Sequence, residues 1–147
     1  MRALRDEGTS YHYLPPAEFA AAKEELVKAA MEECSALAQP LHRGASWTTD
    51  APFRETAAAI EGCRARNILA VEMEAAGLYA FAQARDKPIL CFAHVTNQLA
   101  VSEGDFEKGE ADGSVASLGV IAAAARGWRR LAKGQPAPAD QGGRSIE

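Results

Sequence analysis

The chain has 147 residues, 48% of them apolar and 24% charged, a profile for one domain that can bury a core. A net charge of −4 with no clustered basic run excludes a polyanion-binding face, so nucleic acid is not expected as a partner. Cys34, Cys63 and Cys91 are odd in number and widely spaced, with no Cys-x-x-Cys pair, which argues against a disulfide frame or a zinc site and for reduced thiols.

In chain order, Thr9 to Leu14 is rich in β-formers and reads as a strand or its connecting loop. His12, between two tyrosines, is given no role. Pro15-Pro16 then opens a long predicted helix from Ala17 to about Gln39, with Phe19, Leu26, Ala30, Cys34 and Leu37 on one stripe and Lys23, Glu24, Lys28 and Glu32 facing away. Leu41 to Trp47 reads as a strand ended by Thr48-Thr49-Asp50. Asp50 would cap a helix from Pro52 to about Glu61, stopped by Gly62.

Ile68 to Val71 reads as a short buried strand, followed by a helix from Ala75 to about Arg85-Asp86. After Pro88, the apolar run Ile89 to Thr96 suits a central parallel strand covered on both faces. Val101 to Asp112 is acidic and glycine-punctuated, a surface loop without calcium-loop spacing. Ser114 to Ala132 carries Val115, Leu118, Ile121, Ala122, Ala125, Trp128 and Leu131 at helical spacing. The expected organisation is a domain over 1–132 and a disordered tail over 133–147, whose composition cannot bury enough apolar surface to order itself. Alternating strands and helices predict an α/β class, a three-layer α/β/α fold with a mostly parallel central sheet. Dinucleotide, P-loop and nucleophile-elbow glycine motifs are absent from the sequence. With no basic-then-apolar leader and no apolar run of spanning length, the chain is expected to be cytoplasmic and without a membrane partner.

Glu72 and Glu74 bracket the turn between an apolar strand and an apolar helix. Two readings fit: helix-capping acids, or carboxylates for a hydroxyl-rich ligand at a strand C-terminus. The run Val71-Glu72-Met73-Glu74-Ala75-Ala76-Gly77-Leu78-Tyr79 resembles the ribose-binding motif of the nucleoside phosphorylase family, which comprises purine nucleoside and uridine phosphorylases and related nucleosidases. Arg5-Asp6-Glu7-Gly8-Thr9-Ser10-Tyr11-His12-Tyr13 and Trp47-Thr48-Thr49-Asp50-Ala51-Pro52-Phe53-Arg54-Glu55-Thr56 resemble further segments of that family in the same order.

The resemblance implies roles. Glu74 would accept hydrogen bonds from the ribose hydroxyls, Met73 would pack on the sugar and Glu72 would line the nucleoside pocket. Trp47, Phe53, Arg54 and Gln98 would serve the base, by stacking and by polar contacts. Asn97 stands at the leaving-base position, where purine-specific relatives carry Asp and uridine phosphorylases carry Asn. A loop-capping Asn is the plain alternative. Gln98 departs from the Arg that usually follows in uridine phosphorylases. Relatives also carry an N-terminal block with a glycine-rich phosphate loop, and no counterpart is recognisable here, so no phosphate-binding residue is assigned and the sheet is expected to lack its N-terminal strands. The implied reaction is cleavage of a nucleoside N-glycosidic bond, with inorganic phosphate as co-substrate and no cofactor or metal. Its products are free base and ribose 1-phosphate. A hydrolytic nucleosidase and a non-catalytic nucleoside-binding or assembly module are the alternatives. An intact version is expected to be a homo-oligomer.

Overall fold

The computed structural model describes residues 1–96 and 110–134. Four strands form one mixed sheet in the order β2-β1-β3-β4, built from β1 (Arg2–Asp6), β2 (Phe19–Ala21), β3 (Ala45–Thr49) and β4 (Ile68–Glu72). β1 pairs antiparallel with β2 and parallel with β3, and β3 pairs parallel with β4. The α/β class is as expected.

β1 lies ahead of the strand expected at Thr9 to Leu14, where Thr9–His12 is instead a 3₁₀ turn. Its alternation is Ala3 and Arg5 buried against Arg2, Leu4 and Asp6 less so. An arginine on the buried face is what disguises the strand. Arg5 is 5% exposed, and donates from Nε to Ser10 Oγ (2.8 Å), from Nη1 to the carbonyl of Pro15 (2.8 Å) and from Nη2 to that of Leu14 (3.2 Å). Its guanidinium also stacks on the Tyr11 ring, 4.1 Å from the centroid. The charge is tolerated because its donors are matched to fixed acceptors.

The single helix expected from Ala17 to Gln39 is split. Phe19–Ala21 joins the sheet, and α1 runs only from Glu24 to Cys34. The ladder decides this: the Arg5 N–H donates to Glu18 and the Ala22 N–H to Met1, so alanines with high helix propensity are held extended by tertiary pairing. Within α1 the predicted stripe holds, with Leu26, Ala30 and Cys34 buried.

β3 begins later than expected and includes Thr48 and Thr49, both fully buried. The helix expected from Pro52 is a 3₁₀ turn, Pro52–Arg54, followed by α2 (Ala57–Ala65). Thr56 rather than Asp50 caps α2, its Oγ1 accepting from the Ala59 N–H at 3.3 Å. Gly62 lies inside α2, and the turn into β4 is made by Asn67 at φ 55°. The helix α3 (Ala75–Arg85) has the predicted bounds. Small residues let it lie close on the sheet: Ala75, Ala76 and Ala80 pack with Tyr79 against Ala3 and Ala20.

Residues 87–96 form no strand, against the expectation for Ile89 to Thr96. The run is apolar, but it finds no ladder partner among the described residues, and Phe92 and Val95 are exposed. α4 (Ser114–Ala132) packs along α1. Gly127 permits the approach, since a Cβ there would meet the Ala29 carbonyl oxygen at 2.2 Å. Arg126 and Arg130 pair with Glu33 and Glu32 of α1 at 3.3 and 2.7 Å. Asn97, Gln98, nearly all of the acidic loop and residues 135–147 of the tail lie outside the described residues. Among the described residues, no helix is long and apolar enough to cross a membrane.

Candidate active site at the carboxyl ends of the parallel strands

β1, β3 and β4 run parallel, so Asp6, Thr49 and Glu72 finish on one edge of the sheet. From β1 to β4 is two strand spacings, about 10 Å.

At the β4 end the two glutamates have different tasks. Glu72 Oε2 accepts from the N–H groups of Glu74 (2.8 Å) and Ala75 (2.6 Å), while Oε1 accepts from the Thr48 hydroxyl. Thr48 Oγ1 in turn accepts from the Ala76 N–H at 3.0 Å. Three amides at the start of α3 are thereby satisfied by a side chain from β4 and another from β3. The carboxylate expected to line a pocket is a helix cap, because its oxygens are already engaged by the protein. Glu74 is exposed, with one contact to the Met73 N–H at 3.3 Å, and Met73 is 47% exposed beside it. Residues sixty-eight to seventy-two thus bring a strand to the edge, Glu72 fixes the turn, and Met73 and Glu74 stand open on it.

At the β1 and β3 ends lies a cleft of about 240 Å³ lined by Arg5, Asp6, Glu7, Tyr11, Asp50 and Arg54. Asp6 organises it. Its Oδ2 accepts from Trp47 Nε1 at 3.0 Å and from Arg54 Nε at 3.2 Å, and its Oδ1 accepts from Arg54 Nη2. The hydrogen bond to Asp6 raises the Arg54 pKa further above its ordinary value. Sequence reasoning missed Asp6 as a site residue, because its partners stand more than forty positions away along the chain. Trp47 is 4% exposed, so a ring expected to stack on a ligand has no open face. Phe53 is 85% exposed on the turn beside the cleft.

No thiol here is poised as a nucleophile. Burial raises the pKa values of Cys34 and Cys63. Cys91 rises to about 11, first through burial, with the carboxylates of Glu72 and Glu74 adding to it. Its N–H donates to the buried Tyr79 hydroxyl at 3.3 Å, and burial likewise pushes the Tyr79 phenol up. Among the described residues no group of three or more His, Cys, Asp or Glu is placed to hold a metal ion.

A family model described as "Phosphorylase superfamily" matches residues 1–128. The chain belongs to the phosphorylase superfamily. A solved structure with the superfamily fold, AMP nucleosidase from Bacteroides thetaiotaomicron VPI-5482, is similar with a TM-score of 0.52 and 24% identity. The likeness covers 59% of this chain and 38% of that one, so the chain spans well under half of that nucleosidase's length. At this identity the likeness is one of fold. A comparison with curated proteins finds no match. The resemblance drawn from the Glu72-Met73-Glu74 run is borne out at the level of the superfamily.

Proposed function

We propose that this chain provides the nucleoside-binding part of an enzyme that cleaves an N-glycosidic bond, transferring the pentose of a nucleoside to phosphate. The observation that carries the reading is the division between the two glutamates: Glu72 is fixed by Thr48 and the first amides of α3, which leaves Glu74 open just past the end of β4, on the sheet edge where β1 and β3 also end. An open carboxylate suits a cis-diol, since two oxygens can accept from two hydroxyls, and the Met73 thioether suits the apolar face of a sugar. The base would then lie toward the cleft, with Phe53 as a stacking surface and Arg54 as a donor. Asn97 is the candidate beside the leaving base, where its amide could hydrogen-bond the ring without supplying a proton as an acid would. Gln98 is the candidate next to it. An oligomer of the intact enzyme remains part of the proposal.

The hydrolytic reading has one observation in its favour. Both cleft guanidiniums are engaged, Arg5 with backbone carbonyls and Arg54 with Asp6, and three carboxylates line the same cleft, a poor setting for a phosphate anion. AMP nucleosidase, the similar structure, is by its name a nucleosidase. The test is release of free base from uridine and inosine by the purified chain, with and without phosphate, followed by chromatography. Phosphate-dependent release supports transfer to phosphate, and phosphate-independent release supports hydrolysis. Nucleoside binding without release by folded protein would overturn both and leave a binding module.

A further inference from the structure

α4 has two apolar faces, and only one of them is covered. Val120, Ala123, Ala124 and Gly127 are buried, with Gly127 against the backbone of Ala29 in α1. On the opposite side Leu118 and Ala125 stand seven residues apart in a central column, flanked by Ile121 and Trp128 on one hand and by Val115 and Ala122 on the other. The four large side chains of this face are between 45% and 65% exposed. Residues 114–125 hold no charged side chain, whereas a helix face turned to water carries charges. Single exposed apolar residues are ordinary; four large ones contiguous along one helix mark a contact surface.

We propose that this face joins two copies of the chain, α4 against α4, antiparallel about a two-fold axis beside Ile121 and Ala122. The order of residue sizes is what selects a second copy. With the axis there, Leu118 meets Ala125 of the other copy and Trp128 meets its Ser114, so each large side chain enters the space left by a small one, and symmetry makes every such contact twice. Ile121 meets its own equivalent at the centre. A parallel pairing would set Leu118 on Leu118 and leave Ala125 facing Ala125 across a gap. Antiparallel helices also oppose their dipoles, and Arg129, exposed on this face, comes to the end of the other α4 at which Asp112 is exposed. Covering the large side chains on both copies removes on the order of 1,000 Å² from water, the lower limit for a specific interface, which corresponds to a dissociation constant of about 1–100 µM. None of this depends on what the cleft binds.

The experiment is sedimentation velocity on the full chain between about 0.5 and 200 µM, with tryptophan emission read on the same samples. The expected result is a monomer–dimer equilibrium that stops at two. Emission should shift to shorter wavelength as the dimer forms, a change that reports Trp128, because Trp47 is already buried. Leu118→Glu sets a carboxylate in the seam and should raise the dissociation constant at least about tenfold. Ala125→Leu fills the space that Leu118 of the other copy occupies and should also weaken the dimer about tenfold or more. General apolar stickiness predicts the reverse for Ala125→Leu, so a tighter dimer in that variant would overturn the proposal. So would a parent chain that stays monomeric at 200 µM, association that continues past two copies, or a dimer that Leu118→Glu leaves unchanged. Circular dichroism should report an unchanged fold for a substitution at a position as exposed as Leu118. If Leu118→Glu nonetheless fails to fold, Ala125→Leu carries the test alone.

Discussion

The β4–α3 junction and the cleft at the ends of β1 and β3 share one edge of one sheet and differ in what their polar groups do. At the junction Thr48 is fully buried, and its hydroxyl both donates to Glu72 and accepts from Ala76. At the cleft, Arg54, Asp50 and Phe53 are exposed, and Asp6 joins Arg54 to the end of β3 through Trp47. A closed network holds geometry, and an open one leaves groups for a ligand.

The largest effect should come from breaking the closed side. Thr48→Val keeps the shape but leaves the Ala76 amide and a Glu72 oxygen without their partner, and should cost about 3 kcal/mol in denaturant unfolding. Next, Glu74→Gln should weaken nucleoside binding by roughly ten- to a hundredfold, the loss of charge-assisted bonds of about 1.5–3 kcal/mol. Its unfolding midpoint should stay within about 0.5 kcal/mol of the parent, because Glu74 is exposed. A smaller effect is expected from Phe53→Ala: about 1 kcal/mol in base binding, from lost stacking, with no measurable change in stability for a ring so exposed.

The smallest concerns pH. The Cys91 thiol has a folded-state pKa of about 11 against an ordinary value of 9.0, so below pH 9 both folded and unfolded states hold the proton. As pH rises from about 9 to 11 the unfolded state loses its proton first, and the stability associated with the thiol is lost. Cys91→Ala should therefore show a shallower decline in stability across that window, and thiolate absorbance should place the folded midpoint near 11.

The sequence made the β4–α3 junction legible because the apolar run Ile68 to Val71 is interrupted by Glu72 and Glu74 and followed by Ala75, Leu78, Tyr79 and Ala82 at helical spacing. It did not mark Glu72 as the helix cap and Glu74 as the open carboxylate. That distinction depends on Thr48, which is 24 residues away along the chain and adjacent in space. β1 was hidden by Arg5, since a charge at a buried position breaks the alternation that announces a strand. β2 was hidden because three residues of an alanine-rich segment carry no period of their own, and only pairing with β1 holds them extended. Ile89 to Thr96 has the composition of a central strand, but composition does not supply a neighbour to pair with. At the cleft, the family resemblance points to Phe53 and Arg54 on the turn after β3, and Arg54 lines the cleft, whereas nothing in the local pattern marks Asp6.

Arg5 carries a consequence for how the protein withstands digestion. Tyr11 and Tyr13 stand exposed on the connection between β1 and β2, where a protease specific for aromatic residues would look for a cut. Cleavage requires the backbone around such a site to lift away and extend into the protease. With the carbonyls of Leu14 and Pro15 held by a buried guanidinium, lifting this segment means breaking those bonds and leaving the Arg5 charge without its acceptors. Resistance of those two tyrosines should therefore persist until the sheet itself opens.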